Sequence, residues 1–170
     1  MPEKVAEILS HWHSLTEGLQ GSSKSFYAAV QHAVDRRNLP QVRLTRVSHR
    51  EGGIFSAKRE YLRARRKELI FDICAAPFGA YGFFVSWWLG RLPPSLWFQI
   101  PLLGPILMRL LRPLTYYHLD TALMFQDSIH ASVLEVLEGA TKALGLRALS
   151  ENDRKPVLTG LFQRGGLVRG

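Results

Sequence analysis

Cysteine occurs once in this chain, at Cys74, so no disulfide can form within it and a reducing compartment is the simplest setting. Acidic residues are scarce: 14 aspartates and glutamates face 22 lysines and arginines, a formal charge of +8. There is no Gly-x-Gly-x-x-Gly, no Walker loop, no Gly-x-Ser-x-Gly and no His-Glu-x-x-His. These absences argue against a phosphate-cradling loop, a hydrolase elbow or a zinc-protease helix. No histidines or cysteines stand at metal-ligand spacing, so neither a metal nor another cofactor is expected. The first residues mix charges and lack a continuous apolar core, unlike a secretory signal. Charge itself is missing from two long stretches, Ile73 to Gly90 and Leu92 to Met108, with only Arg91 between them.

What is present is a basic block followed by an apolar one. Between Arg36 and Lys67 eleven cations oppose Glu51 and Glu60, so this block carries +9 and the rest of the chain −1. Such a patch points to an anionic partner. The run from Leu92 to Met108 is too apolar for a surface loop, yet Pro93, Pro94, Pro101 and Pro105 spoil it as a straight helix. A spanning helix needs about 20 mostly apolar residues, and lipid cannot replace the hydrogen bonds that interior prolines remove. A re-entrant or interfacial segment is therefore preferred over a full span. Its expected membrane contacts are Trp87, Trp88, Leu96, Trp97, Ile100, Leu102, Leu103, Ile106 and Leu107, with Arg109 and Arg112 reaching toward phosphates. The plain alternative is an apolar loop buried in a soluble core or an interface.

Periodicity gives the elements. Val5, Ile8, Leu9, Trp12, Leu15 and Leu19 recur at helical spacing, and Gly21-Ser22-Ser23 separates them from a second helix carrying Phe26, Tyr27, Val30, Ala33 and Val34. The period then falls to two, predicting strands at 42–45, 54–65, 68–75 and 83–89 joined by short turns, an antiparallel meander. A turn at Arg66-Lys67 would put Leu62 opposite Phe71 and Tyr61 opposite Asp72. A three-residue loop at Glu51-Gly52-Gly53 would put Val42 opposite Leu62. Tyr116 to Leu144 reads as one long helix with Gly145 as its C-terminal cap.

In this pairing one sheet face is apolar, and the other gathers Arg43, Arg59, Tyr61, Arg63, Arg65 and Asp72 as a candidate anion- or lipid-binding surface. Asp72, flanked by arginines, is expected to be ionised and to order them. A merely solvated arginine face is the plain alternative. Single-stranded nucleic acid ranks lower, because only Tyr61 and Phe55 offer rings for stacking. Cys74 reads as a small buried hydrophobe, and the acidic residues of the long helix as a solvated ridge. Gln126 and His130, four apart on its apolar side, suggest a hydrogen-bonded pair that sets packing or a partner's register. No catalytic residue is nominated.

Together these readings predict an α+β protein. Two N-terminal helices lie on a four-stranded antiparallel meander (1–90), followed by an apolar, proline-broken membrane-associated segment (91–114), a C-terminal helical region (115–163) and a flexible tail (164–170). The expected function is a non-enzymatic scaffold or adaptor on the cytoplasmic face of a membrane. It would bind anionic lipid or an acidic protein partner through the basic face, with self-association also in view. The alternative is a soluble nucleic-acid-binding module whose apolar run is an oligomer interface. An enzyme acting on a lipid-like substrate comes third.

Overall fold

The computed structural model describes residues 7–50, 58–92 and 115–158. Its elements in chain order are β1 (Glu7–Glu17), α1 (Ser23–Arg36), β2 (Arg43–Arg50), β3 (Lys58–Arg66), β4 (Leu69–Phe78), β5 (Gly82–Arg91), α2 (Tyr116–Ala143) and β6 (Val157–Leu158). The strands form one antiparallel sheet in the order β2-β3-β4-β5-β1-β6, and both helices lie on the same side of it. The α+β class with an antiparallel sheet holds. The expected pair of N-terminal helices on four strands does not, because residues 7–17 form a strand that pairs with β5 along its whole length.

The misreading of β1 has a physical cause. Its inward positions are largely polar: Ser10, Ser14 and Thr16 are buried beside Trp12, while Ile8 and Leu15 point outward and are exposed. A register irregularity between Ile8 and Ser10 also turns Leu9 into the core. Period-two alternation is thereby erased from the hydrophobicity pattern, and the apolar residues that remain fall three or four apart, as on a helix.

The faces of the β2–β3–β4 ribbon are as expected, but the registers differ. Arg63 stands opposite Asp72 and Ala64 opposite Phe71, with the turn at Lys67-Glu68, where Lys67 adopts φ 54°. The pairing has shifted by two residues from the expected one, which keeps the faces and gives Asp72 an arginine instead of Tyr61. In the β2–β3 pair, Val47 stands opposite Tyr61 and Arg46 opposite Leu62. The expected turn at 51–53 lies outside the described residues.

Leu62, Ala64, Phe71, Ile73, Val85, Trp87 and Leu89 line the helix-facing side and meet Val30, Val34, Phe125, Ile129, Val133 and Leu137. Phe71 is fully buried, 4.4 Å from the Trp87 ring and 6.2 Å from Phe125 between centroids. Tyr27 fastens α1 to the sheet: its hydroxyl donates to the Glu60 carbonyl at 2.8 Å and accepts from the Ala75 amide at 2.9 Å. Burial above all pushes its phenol up to about 12. The Arg46 guanidinium covers the other side of that ring at 4.5 Å. The long helix ends as the sequence indicates. Gly145 takes φ 66°, and the amides of Gly145 and Leu146 close onto Lys142 and Thr141, a Schellman arrangement.

Polar ties hold α2 to the sheet. The Trp87 indole donates to His130 Nδ1 at 2.9 Å, and His130 Nε2 donates to the Arg154 carbonyl at 2.7 Å. Ser10 donates to Gln126 Oε1, and Trp12 Nε1 donates to the Asp153 carbonyl at 2.6 Å. Gln126 and His130 therefore each bond to the sheet side rather than to one another, as their spacing had suggested. The Phe125–Phe71, His130–Trp87 and Leu146–Gly18 contacts follow one another along the molecule, so α2 runs antiparallel to β5.

Two outcomes follow for stability. Phe71→Ala should cost about 3–5 kcal/mol in chemical denaturation, and a loss below about 1 kcal/mol would show that its pocket is not the core. His130 is held neutral: burial above all lowers its pKa from 6.5, against the opposing pulls of the Arg154 carbonyl and Asp127. Below 6.5 the unfolded chain therefore binds more protons than the folded one, so stability should fall as pH drops through that value and level off once the folded imidazole titrates. The His130→Gln variant should lack this component, which denaturant midpoints across pH would reveal.

Candidate anion-binding face

The side of the sheet away from the helices carries the predicted basic residues, and the strand registers set their neighbours. One row across the sheet reads Arg43, Arg65, Ile70, Gly90, Ile8, and the next reads Thr45, Arg63, Asp72, Trp88, His11. Beyond them, Val47 pairs with Tyr61 and His49 with Arg59, while Cys74, Ser86 and His13 lie in line on the other strands. All six candidate residues, Arg43, Arg59, Tyr61, Arg63, Arg65 and Asp72, thus share one face.

They do not share one state. Arg43, Arg59 and Arg65 are exposed, whereas Arg63 is 5% exposed. Arg63 meets Asp72 in a two-pronged ion pair, Nε to Oδ1 and Nη2 to Oδ2, both at 2.7 Å. His49 Nε2 approaches the same carboxylate at 3.9 Å. Asp72 orders an arginine, as expected, but the merely solvated reading fails at Arg63. Planar guanidinium and planar carboxylate fix each other across two strands, so this pair is a structural tie in the middle of the face. A shallow cleft of about 290 Å³ opens over it, with Tyr61, His49, Trp88 and Ile8 around the rim. The Tyr61 ring meets the edge of His49 at 5.3 Å, and Trp88 stacks on His11 at 4.8 Å.

The groups capable of chemistry are committed elsewhere. Burial pushes the Cys74 thiol up, against the opposing influence of Arg59 and Ser86, so it is a buried, protonated thiol at neutral pH rather than an activated nucleophile. Among the described residues no cluster of histidine, cysteine or carboxylate side chains could hold a metal ion, and no helix is long and apolar enough to cross a membrane.

Of the residues expected at a lipid boundary, Trp87 is corrected. It is 0% exposed, faces the helices and bonds to His130. Alternation along β5 puts only its neighbour Trp88 outside, at 44% exposure. Leu96, Trp97, Ile100, Leu102, Leu103, Ile106, Leu107, Arg109 and Arg112 lie outside the described residues. Sequence reasoning missed the histidine and apolar half of the face, Ile8, His11 and His13, because it placed them on a helix. The signal that points to them is the alternation of Ser10, Trp12, Ser14 and Thr16 with Ile8, His11, His13 and Leu15 on the outer side.

No protein-family model, curated protein or solved structure matches the chain.

Removing one partner of the central pair leaves the other's charge stranded among strands. Arg63→Ala should destabilise by about 3–5 kcal/mol, while Arg63→Leu combined with Asp72→Leu should recover most of that loss. A single variant within about 1 kcal/mol of wild type in denaturant melts would mean that Asp72 does not hold Arg63.

Proposed function

We propose that this protein is a non-enzymatic module that docks on the anionic, cytoplasmic face of a membrane and serves there as a scaffold or adaptor. The carrying observation is the placement of Arg43 and Arg65 side by side and exposed at one end of the sheet. From that same end the chain continues through Arg91 and Leu92 into the uncharged run. A basic cluster next to an apolar segment suits a phosphatidylserine-rich surface, with each cation contributing about 1 kcal/mol near the headgroups. A non-catalytic role agrees with the state of the reactive groups: the Cys74 thiol is raised, His130 is neutral with both ring nitrogens bonded, and Asp72 is taken by Arg63. Lipid is favoured over single-stranded nucleic acid because the two outer-face rings near the arginines, Tyr61 and Trp88, are already in contact with His49 and His11.

The protein should sediment with phosphatidylserine-containing vesicles at low salt and less well with neutral ones. Arg43→Glu with Arg65→Glu should weaken this by about tenfold or more, and Tyr61→Ala should change it little. Absence of vesicle binding would remove the reading. Salt-resistant binding of a single-stranded oligonucleotide that collapses in Tyr61→Ala would replace it with nucleic-acid recognition.

A further inference from the structure

Strands β3 and β4 do not stay together along their whole length. Their pairing stops at Leu62 and Ile73, although β3 begins at Lys58 and β4 runs on to Phe78. Each strand keeps its other neighbour there, Lys58 opposite Arg50 on β2 and Phe78 opposite Gly82 on β5. The sheet is therefore split between two strands that are both held from outside. In the continued register Glu60 would face Ala75, and the Tyr27 hydroxyl stands between them, donating to the Glu60 carbonyl at 2.8 Å and accepting from the Ala75 amide at 2.9 Å. Alternation makes Pro77 the next residue of β4 turned toward β3, and proline has no N–H with which to resume the ladder. Tyr27 thus ties the backbone groups at the fork, and Pro77 keeps the strands apart beyond it.

The fork opens into a cleft of about 780 Å³, within the range of small-molecule sites. Ser23 and Lys24 enter it from the start of α1, His49 from β2, Arg59 and Tyr61 from β3, and Pro77 from β4. Lys24 and Arg59 are exposed, and neither is ion-paired among the described residues; Arg59 reaches the Cys74 thiol instead. Glu60 is the one carboxylate among the described residues that line the cleft. Alternation turns it to the helix side with Leu62 and Ala64, while Arg59 and Tyr61 point to the outer side. The α1 amides are not what the site rests on, since the Lys24 amide is already capped by Ser22 Oγ at 3.2 Å. Two cations without carboxylate partners, a hydroxyl and an imidazole converge from three separate elements on one opening. A phosphomonoester suits that set: it brings three strong acceptor oxygens and a charge of about −1.5 to −2, more than a carboxylate or a diester carries.

We propose that the opening between β3 and β4 is a binding site for a phosphomonoester. Lys24, Arg59 and the Ser23 hydroxyl take its terminal oxygens, His49 adds a third cation when protonated, and the Tyr61 ring flanks its carbon skeleton. The same chemistry is offered by a soluble phosphate ester and by a lipid headgroup that ends in a monoester. The site goes beyond docking on a charged surface, and it uses neither Arg43 nor Arg65.

The test titrates the full nitrogen-15-labelled chain with glycerol 3-phosphate at physiological salt. The amide signals of Ser23, Lys24, Arg59 and Ala76 should shift together and saturate, while those of Arg43, Arg65 and Arg147 stay in place. Lys24→Gln and Arg59→Gln should each weaken binding about tenfold, and Arg147→Gln should not. Lys24 is exposed in the first turn of α1, so Lys24→Gln decides the matter even if Arg59→Gln disturbs the sheet. No saturable shift, shifts spread alike over every exposed arginine, or an unchanged Kd in Lys24→Gln would overturn the site. A second arm separates the sources with phosphatidylcholine vesicles carrying either phosphatidic acid, whose headgroup is a monoester, or the same charge as phosphatidylserine. A preference for phosphatidic acid that Lys24→Gln removes and glycerol 3-phosphate competes away assigns the site to a headgroup. Saturable binding of glycerol 3-phosphate without that preference assigns it to a soluble ester. Binding to phosphatidylserine vesicles by a chain whose cleft signals never move would end this site and leave the membrane reading standing.

Discussion

The hydrogen bond from the Trp87 indole to His130 is the contact on which the rest of this structure depends. It joins the middle of β5 to the middle of α2, two elements far apart in sequence. It also fixes the imidazole tautomer, because Nδ1 must accept from Trp87 while Nε2 donates to the Arg154 carbonyl. Ser10–Gln126 and Trp12–Asp153 repeat the arrangement on β1. Apolar surfaces alone would let a helix slide over a sheet, whereas buried polar groups lose their partners on any slip. These ties set the direction and position of α2. They thereby decide that the chain leaving at Leu92 and returning at Thr115 does so at a single pole.

Division of labour between the two sides of the sheet follows from the same arrangement. The helix-facing side is apolar, with Ser10, Trp12 and Trp87 bonded to α2 and to the segment behind it. The outer side carries cations at one edge and histidines with aromatics at the other, tied in the middle by Arg63 and Asp72. Arg63 is held by Asp72 within this side, while Arg43, Arg59 and Arg65 are exposed on it. Two of these three, Arg43 and Arg65, stand at the end of the sheet where β3 turns into β4.

Much of this was legible in the chain. Clean alternation in β3 and β4 separated the faces correctly, and the 3.6-residue stripe with Gly145 located α2 to within a residue. Register was not legible, since shifting the pairing by two residues preserves both faces and changes only which residues stand opposite, such as Arg63 rather than Tyr61 opposite Asp72. Strand β1 was hidden by its polar interior and by Leu9 at the irregularity, and β6 has only two residues from which no period can be read. Trp87 and Trp88 are adjacent, apolar and alike in sequence. Which of them faces the core became clear only once β5 had a partner on each side.

The whole arrangement rests on α2 beginning at the pole where β3 turns into β4. Distances between spin labels test it directly in the free protein. Strands of ten residues span about 33 Å, so labels at Lys67→Cys and Tyr116→Cys should lie much closer together than labels at Ala80→Cys and Tyr116→Cys. Equal distances, or the reverse order, would mean that α2 does not run antiparallel to β5 and that the two ends of the apolar stretch do not share a pole.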